Sequence, residues 1–229
     1  MNTQLLIPAA GTGVRLGSPN PKALISVAGR PLIVRTLEQF VPLELARCTI
    51  IVIAPEARPE FERVLHENFP GEPFVFAQGG RERQHSVANG LACLNEDTDV
   101  VVIHDAARPF VTAESVQRSV EAARECGAAT VAIPSADTIL VEDGDGYLEN
   151  TPDRESLWAC QTPQTFQVSV IRDAHDQAKR DGFLGTDDAS LVRRVGGKVK
   201  LIAGSPLNFK ITTPDDLALA EAIVEGGLA

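Results

Sequence analysis

Short apolar runs recur along this chain, and each is followed by a stretch whose apolar residues fall three or four positions apart. The runs are Leu5–Pro8, Thr49–Ala54, Phe74–Ala77, Val100–His104, Thr130–Ile133 and Val199–Ile202. Near-continuous apolar content predicts strands buried on both faces. Helical periodicity occupies Leu32–Phe40, Glu60–Asn68, Arg83–Leu94, Ala113–Glu125, Val168–Arg180 and Ala189–Val195. Strands alternating with helices predict an α/β fold with a mostly parallel, doubly wound (Rossmann-like) sheet. Thr213-Pro214-Asp215-Asp216 opens a last helix: a hydroxyl cap, a Pro in the first turn and acids at the positive end. Lys210 is expected on a strand before it, and Thr186 as the cap of the helix that contains Asp187 and Asp188.

One segment breaks the rhythm. Thr138–Glu142 and Tyr147–Asn150 flank Asp143-Gly144-Asp145-Gly146, a hairpin signal with polar strands unsuited to a doubly covered core. A two-stranded ribbon is marginal alone. It is either a solvated ribbon or an arm that packs on a partner. The expected organisation is one domain over 1–229 with a β-arm inserted at about 136–156.

Composition narrows the partners. The chain has 229 residues, 44% of them hydrophobic, which is enough for a sizeable core. Its net charge of −10 opposes binding to nucleic acid or an anionic membrane. Apolar runs such as Ile50–Ala54 are too short to cross a bilayer, and no signal peptide is indicated. Cys48, Cys93, Cys126 and Cys160 are scattered without a C-x-x-C pair, so buried free thiols and a cytoplasmic setting are expected.

The richest stretch is Pro8 to Lys22, PAAGTGVRLGSPNPK, at the end of the first strand. Gly11, Gly13 and Gly17 permit tight turns, and amides in such a loop can cradle an anion. Arg15 and Lys22 add positive charge where a polyphosphate would sit. Neither common glycine loop fits. Leu16 stands where a dinucleotide fingerprint needs its third Gly, and Gly197-Lys198 is followed by Val199 rather than Ser or Thr. The second chemical segment, HDAARP from His104, follows the Val100–His104 strand to the same rim of the sheet, where ligands of such folds bind.

The pattern A-A-G-x-G-x-R followed by P-K resembles nucleotidyltransferases that charge sugar or polyol phosphates. GGRERQHSVANGL, HDAARPF, TPQTF with TDDAS, and NFKITTPDDLALAE narrow it. Together these segments resemble the 2-C-methyl-D-erythritol 4-phosphate cytidylyltransferase family over nearly the whole chain. The resemblance implies transfer of CMP from CTP to methylerythritol phosphate in non-mevalonate isoprenoid synthesis. It implies a nucleotidyltransferase-type sheet with a dimerisation arm, and a homodimer with shared active sites.

By that resemblance Arg15 and Lys22 stabilise charge at the α-phosphate. Pro8, Ala9, Ala10, Gly11 and Gly13, with Gly80, Arg83 and Ser86, bind the nucleotide. Thr138, Arg154, Lys210 and Arg108 position the second substrate. Asp105 is the candidate ligand for Mg²⁺ or another divalent cation, against the alternative that it caps the next helix and pairs with Arg108. His104 is given no role. The nearest competing function is a ribitol 5-phosphate cytidylyltransferase. One from another class is a non-catalytic nucleotide-binding module, which should have lost Arg15, Lys22 or Asp105.

Overall fold

The computed structural model describes residues 2–17, 20–43 and 48–228. Its first half contains β1 (Asn2–Pro8), a two-residue pair β2 (Ser26–Val27) and β3 (Arg30–Pro31), then α1 (Leu32–Glu38), β4 (Thr49–Ile53), α2 (Arg58–Asn68), β5 (Phe74–Gln78) and α3 (Arg83–Leu91). The second half adds β6 (Thr98–Ile103), α4 (Ala113–Cys126), β7 (Ala128–Pro134), β8 (Val141–Glu142), β9 (Leu148–Asn150) and β10 (Trp158–Gln167). It closes with α5 (Val168–Arg180), α6 (Asp188–Arg194), β11 (Lys200–Ala203) and α7 (Pro214–Glu225).

Seven strands form one sheet in the order β11-β7-β10-β6-β1-β4-β5. β1 pairs in parallel with β4 and β6, β4 with β5, and β7 with β11. The chain builds outward from β1 through β4 to β5, then returns to place β6 on the other side of β1. That reversal opens a crevice at the carboxyl ends of β1 and β6, where the glycine loop and HDAARP both emerge.

Period-two alternation divides β1 between two cores. Leu5 and Ile7 join Ile51, Ile53 and Val102 under α1, α2 and α4. Leu6 faces the other way, with Ile50, Val52, Val101 and Ile103 under α3, α5 and α6. Each such side chain contributes on the order of 1.5–3 kcal/mol by leaving water. The approach of α3 is so close that a Cβ at Gly90 would stand 2.7 Å from Leu6 Cδ1 and 2.9 Å from Val52 Cγ2. α7 starts with a full capping box between Thr213 and Asp216.

Several expectations need correction. β10 was not expected from the sequence, and it runs antiparallel between β6 and β7, so the sheet is mixed at that point. Its middle, Gln161 to Gln164, is polar and carries a cis Thr162–Pro163 bond. Nothing there reads as a buried strand, yet Gln161, Thr162 and Gln164 are all buried. Lys210 lies beyond β11 in a segment that is not a strand, tied by the Ile211 N–H donating to the Ala107 carbonyl. The cap of α6 is Asp187, not Thr186; its side chain accepts from the Ser190 N–H. All four thiols are free, but Cys126 and Cys160 are exposed and the other two half-buried.

The hairpin forms where expected, with Val141 opposite Asn150 and Glu142 opposite Leu148. Asp143 Oδ1 accepts from the Asp145 and Tyr147 N–H groups, and Gly144 and Gly146 take φ of +93° and +92°. The ribbon is less polar than its sequence suggests, because Ile139, Leu140, Tyr147 and Leu148 are all exposed. Among the described residues no helix is long and apolar enough to cross a membrane.

Candidate active site

A cleft of about 420 Å³ opens over the carboxyl ends of β1 and β6. Its floor is the loop after β1. Ala9 N–H donates to Val52 O and Lys22 N–H to Gly11 O, so the loop doubles back and sets Lys22 beside its start. Val14–Leu16 form a single 3₁₀ turn that carries exposed Arg15. Of the three loop glycines only Gly17 needs a left-handed backbone, at φ +68°. At Gly11 an added Cβ would touch no protein atom, so its missing side chain widens the cleft rather than relieving the fold. Gly13 is buried and does not line the cleft, whereas Pro8, Ala9, Ala10, Gly11, Arg15 and Lys22 do.

Lys22 is the perturbed cation of this loop. Burial, then Lys210 and Arg15, lower its pKa from 10.5 to about 8. Its Nζ lies 3.5 Å from Thr212 Oγ1. Thr212 is fixed in turn, because Asp216 Oδ2 accepts from its N–H at 2.8 Å.

Asp105 is the one carboxylate that follows β6 into the cleft, and three cations surround it. Lys210 Nζ is 2.8 Å from Oδ2, Arg83 Nε is 3.2 Å from Oδ1, and Arg108 Nε is 3.7 Å from Oδ2. Burial opposes its charge, but Arg83 and Lys210 hold the carboxyl far below the usual carboxylate range. Arg108 does not line the cleft. Its Nη1 donates to Asn208 O at 2.7 Å and Nη2 to Cys160 O at 3.3 Å, so its fork ties the 208 segment to β10.

His104 stands behind this wall. Its Nε2 lies 2.9 Å from Arg108 O, which can only accept; Nδ1 therefore accepts from Thr162 Oγ1 at 3.0 Å. Thr162 Oγ1 accepts in turn from the Asp105 N–H at 3.1 Å. Burial, against its bond to Arg108, pushes the imidazole down to about 4. It is neutral, its tautomer is fixed, and both nitrogens are used.

The third wall comes from the segment after β5. Gly79 packs so near the first loop that a Cβ there would stand 2.5 Å from Ala10 Cβ. Gly80 N–H donates to Ser86 Oγ at 3.0 Å, and Ser86 Oγ donates to Glu82 O at 3.2 Å, so this hydroxyl shapes the Gly80 turn. Arg83 links Asp105 to a second carboxylate, Asp188, at 2.6 Å. Burial works against the guanidinium, but Asp188 and Asp105 raise its pKa further above the ordinary value.

Thr138 and Arg154 are not brought to this cleft within the chain. Both sit exposed at the root of the arm, where Arg154 Nη1 donates to Ala136 O at 3.4 Å. Sequence reasoning missed Thr162, Gln164, Asp188, Asn208 and Thr212 as supports of the site. Gln164 illustrates why: its Oε1 accepts from the Asp188 and Ala189 N–H groups and its Nε2 donates to Asp187, contacts that exist only once β10 is in place.

Comparison with known proteins places this geometry. The profile of the 2-C-methyl-D-erythritol 4-phosphate cytidylyltransferase family matches residues 3–226. The protein of that name from Geobacillus thermodenitrificans is 45% identical over 229 residues, all of both chains. That from Geobacillus kaustophilus is 46% identical over 231 residues, again spanning both. Among solved structures, the Thermus thermophilus 2-C-methyl-D-erythritol 4-phosphate cytidylyltransferase superposes with a TM-score of 0.81 at 39% identity, covering 98% of this chain and 100% of that one. The 4-diphosphocytidyl-2C-methyl-D-erythritol synthase from Anaerococcus prevotii gives 0.86 at 29% identity, covering 97% and 98%.

Proposed function

Because the chain belongs to the 2-C-methyl-D-erythritol 4-phosphate cytidylyltransferase family, we infer that it transfers CMP from CTP to 2-C-methyl-D-erythritol 4-phosphate in isoprenoid precursor synthesis. A phosphate oxygen of the polyol phosphate attacks the α-phosphorus of CTP. The bond from that phosphorus to the bridging oxygen breaks, and pyrophosphate leaves with the electron pair. The products are 4-diphosphocytidyl-2-C-methyl-D-erythritol and pyrophosphate.

The observation that supports this most directly is the gathering of Arg15, Lys22 and Lys210 around a small-residue loop in a protein of net charge −10. The nucleophile is already an anion, so the barrier is the meeting of two anions and the charge on the leaving group. Such a reaction needs positioning and electrostatic stabilisation, not a base. The neutral, walled-off His104 accords with that. Arg15 and Lys22 face the phosphates; Pro8, Ala9, Ala10, Gly11 and Gly80 offer backbone to the cytidine; Lys210 receives the polyol phosphate.

Asp105 is the group that would hold a divalent cation. It lines the cleft, and Lys210 Nζ at 2.8 Å holds its Oδ2 while Arg83 Nε at 3.2 Å holds its Oδ1, so a cation carried in on the triphosphate would have to take the place of Lys210 on Oδ2. A lone carboxylate suits Mg²⁺, which keeps several waters and binds mainly through substrate phosphates. When bound, the ion neutralises triphosphate charge.

Thr138 and Arg154 complete the site from a second copy of the chain, which the exposed apolar side chains of the arm would cover. The free thiols and the absence of any C-x-x-C accord with a cytoplasmic enzyme. The deciding experiment measures pyrophosphate release with CTP and a panel of polyol phosphates. Methylerythritol phosphate should be used far faster than ribitol 5-phosphate; the reverse preference, or no release with any of them, would refute the assignment.

A further inference from the structure

Lys22 is a cleft cation without a counter-ion. Among the described residues no carboxylate comes within ion-pair range of its Nζ, and the side chain that accepts from it is Thr212, with Oγ1 at 3.5 Å. Lys210 and Arg15 repel the ammonium, while Asp105 and Asp216 attract it only from a distance.

Thr212 does not line the cleft, yet its hydroxyl is a fixed point. Its one proton is committed to Lys210 O at 3.1 Å, which leaves the lone pairs for Nζ. Its own N–H donates to Asp216 Oδ2 at 2.8 Å, and the same oxygen takes the Thr213 N–H, so the cap of α7 holds the backbone. On the other side the Ile211 N–H is tied to Ala107 O. A neutral acceptor has a use here that a carboxylate would not. It directs one N–H of the ammonium and leaves two others, with the full charge, for a phosphate. The 3.5 Å contact is long for a hydrogen bond, so it guides Nζ without withholding it from an anion.

We propose that Thr212 is a positioning residue: its hydroxyl turns the Lys22 ammonium toward the phosphates of CTP against the repulsion of Lys210 and Arg15. This rests on Lys22 being a phosphate-facing cation. Without the hydroxyl the ammonium swings away from the two neighbouring cations and meets the phosphates less often.

The test is a double-mutant cycle on the full-length protein. Thr212→Val keeps the shape and removes the hydroxyl. It should lower kcat about tenfold, while KM for methylerythritol phosphate changes less than about twofold. Thr212→Ser restores the hydroxyl and should recover most of that loss. In a Lys22→Ala background Thr212→Val should cost less than about twofold. The alkaline limb of kcat/KM for CTP supplies a further readout. An acceptor favours the ammonium, so in Thr212→Val that limb should move to lower pH by roughly half a unit. Lys210, Arg15, Asp105 and Asp216 all remain in this variant, so the shift reports the lost hydrogen bond. A Thr212 that merely supports Lys210 through its carbonyl predicts a raised KM for the polyol phosphate, an unmoved limb and the same loss in both backgrounds; that result overturns the proposal, as does a Ser variant as impaired as Val. If the Val variant does not fold, Thr212→Ala removes the hydroxyl for the same comparison. Lys22→Ala alone separates the two ideas. If it keeps near-full turnover, the reading of Lys22 fails whatever Thr212 does.

Discussion

Lys22 shows what the site costs the fold. Its pKa falls to about 8 in the folded protein against 10.5 for the free side chain, burial being the main cause. A base whose folded pKa is depressed opposes folding while charged. The penalty is complete below about pH 8 and relieved as pH rises toward 10.5. Lys22→Met should therefore melt higher than the parent at neutral pH, with the difference closing over that window in a pH series of thermal melts. The same variant should lose roughly 100–1,000-fold in turnover, as should Arg15→Ala. In the parent, kcat/KM for CTP should decline as pH rises through about 8, because deprotonation removes a phosphate-facing charge. A flat profile to pH 9 would exclude Lys22 as that charge. Asp105 makes the complementary case. Asp105→Asn should raise the divalent cation concentration needed for half-maximal rate, and excess chelator should abolish turnover in the parent; full activity in chelator removes the metal role.

At the scale of elements, strands and helices with a regular apolar period were legible because burial on both faces leaves a dense signal. Val100 to Ile103 are all fully buried and read as a strand from sequence alone. β10 was illegible for the opposite reason. Its buried polar groups satisfy one another only through the tertiary structure, as where Asn208 Nδ2 donates to Thr162 O at 2.8 Å. Much of the cleft wall could be named from its loops, while the residues that orient that wall, Asp188 and Thr162 among them, could not. They are recognised by partners far away in the chain. Gly90 was equally silent, a glycine inside a helical pattern. Gly90→Ala should improve helix propensity yet destabilise the protein by about 1–3 kcal/mol, because the methyl group meets Leu6 and Val52. Denaturant melts would show this, with kcat little changed in the folded protein; equal or greater stability would mean that α3 can back away from the sheet.

At the scale of the whole molecule, the shared-site proposal predicts complementation. Lys22→Ala and Arg154→Ala proteins, each inactive alone, should regain activity when mixed and allowed to exchange subunits. Complete exchange, seen by mass spectrometry, without any recovery would mean that each chain supplies its own full site. The way the arm is attached has a further consequence. Trp158 pairs with Pro134, and Ser135 N–H donates to Leu157 O at 2.9 Å, so the chain leaves and re-enters the sheet one hydrogen bond apart. The arm is in effect a long hairpin loop, a cassette that can be cut out where its two ends already touch. Replacing residues 136–156 with a two-residue Asn-Gly turn should leave a folded monomer that still binds CTP, measurable by calorimetry and light scattering, but transfers nothing to the polyol phosphate. Nucleotide capture and acceptor use would then be partly separable along the chain, the first belonging to the sheet's rim, where Lys210 also awaits the polyol phosphate, and the second depending in addition on an insertion that can lengthen, shorten or change its sequence without disturbing the core.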